Sequence, residues 1–299
     1  MEFRQLTYFL AVARELNFSE ASRKLDVSQP VLSRTIKKLE EEVGMGLFVR
    51  EASGLTLTPE GKILVTQSNI ILSQIERARS AIDDSFSGSK LLRIGFMPFS
   101  MLAFGSEFVG YLRESFSGYE LQMREFYKQA AIEKALEEGE VDLIFHYPPL
   151  SSTNLVSRLI YTDEVVAYVA ETHPKADQEW FTAPDLFGEK YIMPTDDTNP
   201  ALMHKFRQFF KEHNQPLQIA QQTGPHQARL TLVATGMGIC LDGISVQQRL
   251  KVPGVIAKRF VVEQRAYAMV SMAWHKDSVP ESTDLLLNWF ANRQAKQNT

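Results

Sequence analysis

The chain has 299 residues, 44% of them hydrophobic and 23% charged, the balance of an ordinary globular protein with length for two or three cores of ~100–200 residues each. A net charge of −4 excludes a generally basic, nucleic-acid-coating protein, so any contact with nucleic acid must come from a local cluster of cations. One cysteine, Cys240, excludes an intramolecular disulfide and a Cys-x-x-Cys metal site, and no apolar run approaches the ~18–20 residues of a membrane span. The first six residues, Met1 to Leu6, lack the apolar core of a signal peptide, so a cytoplasmic protein is expected.

Residues 1–58 read as three short helices and a hairpin. Leu6, Phe9, Leu10, Ala13 and Leu16 recur at three- and four-residue spacing and give the first helix one apolar face. Ser19 is the expected N-cap of a second helix, with Ala21 and Leu25 facing inward. After a turn at Asp26-Val27, Ser28 is the expected N-cap of a third, with Pro30 in its first turn, where a missing N–H does no harm. Leu32, Ile36, Leu39 and Val43 form its core stripe and Gly44 ends it. Two short strands follow, Leu47–Arg50 and Leu55–Thr58.

Residues 59–87 read as one long helix, capped by Thr58 and opened by Pro59. Leu64, Ser68, Ile71, Ile75, Ala78 and Ile82 alternate four- and three-residue steps, a heptad seam weak only at Ser68. That stripe suits packing on the helix's own domain, or a seam against a second copy; a long helix between domains has little else to pack on. Ser85-Phe86-Ser87-Gly88-Ser89 reads as a polar hinge.

From residue 91 strands and helices alternate. Strands at 91–96, 121–126 and 141–147 flank helices at 100–116 and 129–138. Further strands fall near 164–170, 191–194, 218–223, 239–241 and 266–274, with helices at 200–213 and 227–236 and a last one opened by Pro280. This alternation predicts a mostly parallel sheet covered by helices. About 210 residues are many for one sheet, so two lobes are expected, joined by crossing strands near 160–164 and 264–268.

The third helix carries the chemistry. Opposite its apolar stripe stand Gln29, Ser33 and Lys37, with Pro30, Arg34 and Lys38 beside them. Residues 22–38 hold Arg23, Lys24, Arg34, Lys37 and Lys38 against Asp26 alone, whereas over residues 1–58 eight basic residues cancel eight acidic ones. Gln and Arg reach base edges in a major groove and Ser and Lys reach phosphates; charge alone leaves a merely solvated face equally open.

The stretch Phe18-Ser19-Glu20-Ala21-Ser22-Arg23-Lys24-Leu25-Asp26-Val27-Ser28-Gln29-Pro30-Val31-Leu32-Ser33-Arg34-Thr35-Ile36-Lys37-Lys38-Leu39-Glu40 resembles the helix-turn-helix signature of the LysR-type transcriptional regulators. Leu47-Phe48-Val49-Arg50 and Leu55-Thr56-Leu57-Thr58-Pro59-Glu60-Gly61 resemble that family's wing and its entry into the linker helix. Chain length, order of parts and Gly236-Met237-Gly238-Ile239 match as well. Ser22 departs from the small alanine usual there, and the wing tip Glu51-Ala52-Ser53-Gly54 lacks the extra arginine often present, so a weaker wing contact is expected.

The resemblance implies a mixed fold: a winged helix-turn-helix (1–58), a linker dimerisation helix with its hinge (59–88), and a C-terminal two-lobed α/β effector domain like the periplasmic binding proteins (89–299). Lobe I would hold 89–162 and 267–299, and lobe II 163–266. It implies a sequence-specific regulator of double-stranded DNA, assembled as a homodimer or homotetramer, meeting RNA polymerase and controlled by a small molecule bound between the lobes. Gln29, Pro30, Ser33, Arg34 and Lys37 would face the groove and Arg50 the backbone or minor groove.

Physics favours the same effector position, because ligands of open α/β sheets sit beyond strand carboxyl ends, at helix N-termini. Ser100 lies at the mouth of strand 91–96, Gln129 opens the helix after 121–126, and Tyr147 ends 141–147; the resemblance makes all three effector contacts. Thr195 and His226 would form the opposing wall. Plain capping also explains Ser100 and Gln129, a loop histidine explains His226, and core packing explains Met97, Phe99 and Met101. Glu133, Glu137 and Glu138 read as a solvated helix face, and Cys240 as a buried inert thiol. Helix N-termini amid aromatic and thioether surface favour a small organic carboxylate.

The rivals are an enzyme and a solute-binding module using the same cleft. The histidines at 146, 173, 204, 213, 226 and 275 show no His-x-x-x-His spacing. Gly236-x-Gly238 lacks the third glycine of a dinucleotide loop, and Ser87-x-x-Lys90 lies in the hinge without companion motifs. No catalytic residue, metal or cofactor is expected.

Overall fold

The computed structural model describes residues 1–51, 54–87 and 90–297. The wing-tip residues Ala52 and Ser53 and the hinge residues Gly88 and Ser89 lie outside the described residues. Two units separate: Met1–Leu91 with Glu137–Glu140, and Leu92–Leu136 with Val141–Thr299.

In the first unit α1 (Phe3–Glu15), α2 (Phe18–Lys24) and α3 (Gln29–Val43) close on Phe9, Val12, Ala21, Leu32, Ile36, Leu39 and Leu47. The buried face of α1 is Gln5, Leu6, Phe9 and Val12. Leu16, expected in that stripe, is exposed, because α1 ends there in a left-handed C-cap at φ 47°. Asn17, not Ser19, caps α2: its side chain accepts from the N–H groups of Ser19 and Glu20 at 2.9 and 3.2 Å. The helix must include Phe18, which packs on the core. Ser28 stands at the N-cap of α3 without a side-chain hydrogen bond, and Gly44 ends that helix at φ 77°. Val43, expected in the core stripe, is exposed; the chain turns at Gly44 and buries Leu47 instead.

Strands β1 (Phe48–Glu51) and β2 (Gly54–Leu57) form the antiparallel wing, with Arg50 opposite Leu55. Helix α4 (Pro59–Ser87) follows, its Thr58 cap accepting from Gly61 N–H at 2.9 Å. Gly61 must be glycine, since a Cβ there would strike the Leu47 carbonyl and the Leu57 side chain. The heptad stripe of α4 divides. Leu64 packs on the unit's own core and Ser68 is wholly buried, whereas Ile71 is 36% and Ile82 61% exposed. Ser85 to Ser87, expected in the hinge, are helical.

The second unit begins with β3 (Lys90–Phe96), α5 (Pro98–Ser115), β4 (Tyr119–Glu125), α6 (Gln129–Glu137) and β5 (Leu143–His146). Then come the long β6 (Leu155–Ala170), β7 (Lys190–Met193), α7 (Pro200–Glu212), β8 (Gln218–Gln222), α8 (His226–Ala234), β9 (Cys240–Gly243) and α9 (Ser245–Arg249). Strands β10 (Val255–Lys258) and β11 (Tyr267–His275) and helix α10 (Thr283–Gln297) complete it. The strand order is β10-β6-β11-β5-β3-β4, with β9 also on β6 and β7 paired with β8 alone.

The sheet is mixed rather than mostly parallel. β3 and β5, and β7 and β8, run parallel, but β11 runs antiparallel to β5 and β6, and β9 and β10 antiparallel to β6. The reason is the two-lobed plan: the chain leaves lobe I along β6 and returns along β11, so these strands must oppose. Residues 155–164 of β6 pair with β11 and residues 165–170 with β9 and β10. At the changeover Glu164 accepts from Arg259 and forms an ion pair with Arg265 at 3.4 Å, which ties the return segment to β6. One apolar cluster runs from Leu92 to Phe290 and takes in Leu230 and Val233 of α8; a second gathers Tyr191, Met203, Phe206, Phe210 and Phe260.

Candidate functional site

On α3, burial of Leu32, Ile36 and Leu39 turns Gln29, Pro30, Ser33, Arg34, Lys37 and Lys38 to the exposed side. Several of these are already engaged. Gln29 accepts from the Ser19 hydroxyl at 3.1 Å, Lys37 lies 3.9 Å from Glu41, and Lys38 lies 3.3 Å from Glu2 and 3.7 Å from Glu42. Ser33 and Arg34 make no hydrogen bond or ion pair among the described residues, and Arg50 is exposed on β1 in the same state. Glu40 positions the wing: its carboxylate accepts from the N–H groups of Leu47 and Phe48 at 2.7 and 3.3 Å. Ser22 is buried with its hydroxyl donated to the Ser19 carbonyl at 2.9 Å, so the serine is accommodated within the α2 turn.

In the second unit the five expected effector residues separate into four groups. Tyr147 and His226 both face Phe99, with ring centroids 6.4 and 5.8 Å away. Gln129 belongs to a buried polar cluster behind them: its Nε2 donates to Glu133 at 2.7 Å, and Glu133 also accepts from Ser151 N–H at 2.9 Å. Glu133 is therefore not part of a solvated face; two donors compensate its burial. His146 in the same cluster is kept neutral, because burial lowers it to about 4 against the Tyr147 carbonyl that raises it. Thr195 spends its hydroxyl on Asp197 and Thr198, each at 2.8 Å, within its own turn. Ser100 is a correction: Met97 is the N-cap of α5, and the Ser100 hydroxyl is fully buried and donated to the Met97 carbonyl at 2.6 Å.

Sequence reasoning passed over the strongest charges of the cleft. Arg229, one helical turn beyond His226 on α8, is 4% exposed. It donates to Gly224 O and to Asp242 Oδ2, both at 2.6 Å. Asp242 also takes His226 Nδ1 at 2.6 Å. Arg229 Nη2 also lies 2.7 Å from His226 Nδ1, so the three side chains form one compact cluster. Burial alone would raise the Asp242 carboxyl, but His226 and Arg229 outweigh it and hold it well below the usual carboxylate range. Burial likewise opposes the Arg229 charge, and Asp242 restores it. Burial pushes the Tyr147 hydroxyl and the Cys240 thiol up, so both stay protonated. The signal for Arg229 was present: a cation sharing the apolar side of a short helix with Leu230 and Val233.

Two buried atoms here have no partner, Arg229 Nε and Gln129 Oε1. A buried donor or acceptor left so costs about 1–3 kcal/mol, which a bound polar ligand can recover. Lys128 turns to Asp197 at 2.8 Å, and Gln129 N–H donates to the Asp197 carbonyl at 3.1 Å, so the loops before α6 and α7 meet across the cleft mouth. Gly243 is packed tightly, since a Cβ there would strike the Asp163 carboxylate and come within 2.8 Å of the Phe99 ring. Among the described residues no group of three or more His, Cys, Asp or Glu is placed to hold a metal, and no helix is long and apolar enough to cross a membrane.

Comparison with known proteins identifies the family. Residues 3–62 match the model of the bacterial regulatory helix-turn-helix protein, lysR family, and residues 87–295 that of the LysR substrate binding domain. The HTH-type transcriptional regulator AlsR of Bacillus subtilis is 30% identical over 279 residues, 93% of this chain and 91% of its own. The regulator CatR of Pseudomonas putida is 31% identical over 250 residues, 83% and 85% of the two chains. The full-length LysR-family regulator CbnR, solved with its target DNA, shares the fold at a TM-score of 0.70 and 20% identity, over 98% of this chain and 99% of its own. The chain belongs to the LysR family of bacterial transcriptional regulators: a DNA-binding helix-turn-helix joined to an effector-binding domain.

Proposed function

We propose that this regulator reads its operator with Gln29, Pro30, Ser33, Arg34 and Lys37 of α3 in the major groove and with Arg50 of the wing on the backbone or in the minor groove. The carrying observation is the idle, exposed Arg34 and Ser33 opposite a fully buried stripe. Residues 1–58 serve as the reading head, 59–88 as the linker and 89–299 as the sensor, with lobes 89–162 plus 267–299 and 163–266. Copies pair along the exposed half of the α4 seam from Ile71 onward, as a homodimer or homotetramer. The protein acts in the cytoplasm and is not an enzyme. Its effector is a small organic carboxylate between the lobes, against Phe99, Gln129, Tyr147, Thr195 and His226; the unpaired Nε donor of buried Arg229 supports this placement. Ser100 supports the wall from behind. A gel shift in moderate salt, with and without a panel of small carboxylates, tests the reading. Retarded operator whose affinity one carboxylate alters is expected; no retardation, or retardation answering only to bulky cations, overturns it.

A further inference from the structure

Val31 is 51% exposed in the first turn of α3, between Pro30 and the unengaged Arg34. A β-branched residue there gains nothing from helix propensity, and its side chain contributes nothing to the buried core. Single exposed apolar residues are common; position sets this one apart. Val31, Arg34 and Lys38 stand at i, i+3 and i+7, so they form one ridge, with side chains tilted towards the helix N-terminus. The N-terminal residues of a recognition helix are those that reach base edges. Among the base edges of the major groove, only thymine presents an apolar group, its 5-methyl.

We propose that Val31 is a specificity-determining residue that packs on a thymine 5-methyl in each half-site. The inference rests on α3 lying in the major groove. Three residues of helix rise about 4.5 Å against about 3.4 Å per base step, so the thymine lies roughly one step from the base that Arg34 reads.

The test uses the full-length protein on an operator defined by footprinting, with each thymine replaced in turn by deoxyuridine. For the wild type, one replacement per half-site lowers affinity about fourfold, the worth of one buried methyl. Val31→Ala binds thymine-containing operator about fourfold more weakly and is indifferent to deoxyuridine at that position. Val31→Thr, which keeps one methyl, recovers part of the discrimination. Insensitivity of the wild type to every replacement, or undiminished sensitivity in Val31→Ala, overturns the inference. Arg34→Ala separates the two levels: if it weakens binding while the Val31 and deoxyuridine arms are silent, only this inference fails. If it too is silent, the groove assignment itself fails.

Discussion

Asp242→Asn preserves shape and removes one charge beneath the effector cleft, leaving Arg229 buried with an uncompensated guanidinium. Breaking a buried ion pair at one partner costs about 3–5 kcal/mol. The Gly224 carbonyl still accepts from Arg229, so the lower figure applies. For an effector domain of this size, about 2–4 °C of melting temperature per kcal/mol gives a fall of roughly 6–12 °C. The pH dependence has a definite sign. Folding holds the Asp242 carboxyl below its unfolded value of about 3.9. Its stabilisation is therefore complete above that value and is lost as pH falls through the folded value. The gap between wild type and variant should be flat from pH 8 to 5 and narrow below about pH 4. Arg229→Met on top of Asp242→Asn should recover much of the loss, since it removes the buried charge left without a counter-ion. Scanning calorimetry of the four proteins of this cycle decides it. A fall below about 2 °C, or a double variant worse than the sum of the singles, refutes the account of the cluster.

On DNA, Arg34→Ala should cost about 1–3 kcal/mol and relax specificity at one position, while Lys37→Ala should weaken all sequences alike and reduce the salt slope by about one unit, both read by anisotropy across a salt series. Ile71→Asp places a charge in the exposed half of the α4 seam, and sedimentation should show loss of the pairing that sets two recognition helices about 34 Å or a multiple apart. Gln129→Ala should weaken the effector by about 1–2 kcal/mol in calorimetry. Ser100→Ala should act mainly on domain stability, its hydroxyl being already committed to Met97.

The sequence was most legible where local chemistry decides structure. Pro59, Thr58 and the unbroken pattern beyond them set α4 at 59–87, and Gly44 ended α3 as glycine at positive φ does. Where two local signals competed, tertiary packing chose: Phe18 had to enter α2, so Asn17 rather than Ser19 became the cap. The first ten residues of β6 carry Ser157, Arg158, Thr162 and Asp163 among apolar neighbours, and this mixture hid half of a strand that serves both lobes. For Glu133 and Arg229 it was the compensation of their burial that was illegible, for a different reason. Their compensating partners, Ser151 N–H and Asp242, lie far away in sequence, and only the fold brings them near. The family resemblance pointed to Gln129, Tyr147 and His226, whereas the buried charges of Arg229 and Asp242 beside His226 came from the geometry.

Footprinting of wild type against Arg34→Ala tests most directly the claim that α3 is the reading head of an effector-controlled regulator. Wild type should protect two half-sites spaced by one helical turn or a multiple, with a small carboxylate shifting the pattern, and Arg34→Ala should lose protection at matched concentration and salt. Identical footprints from both proteins, or no sequence protected above competitor DNA, would contradict it.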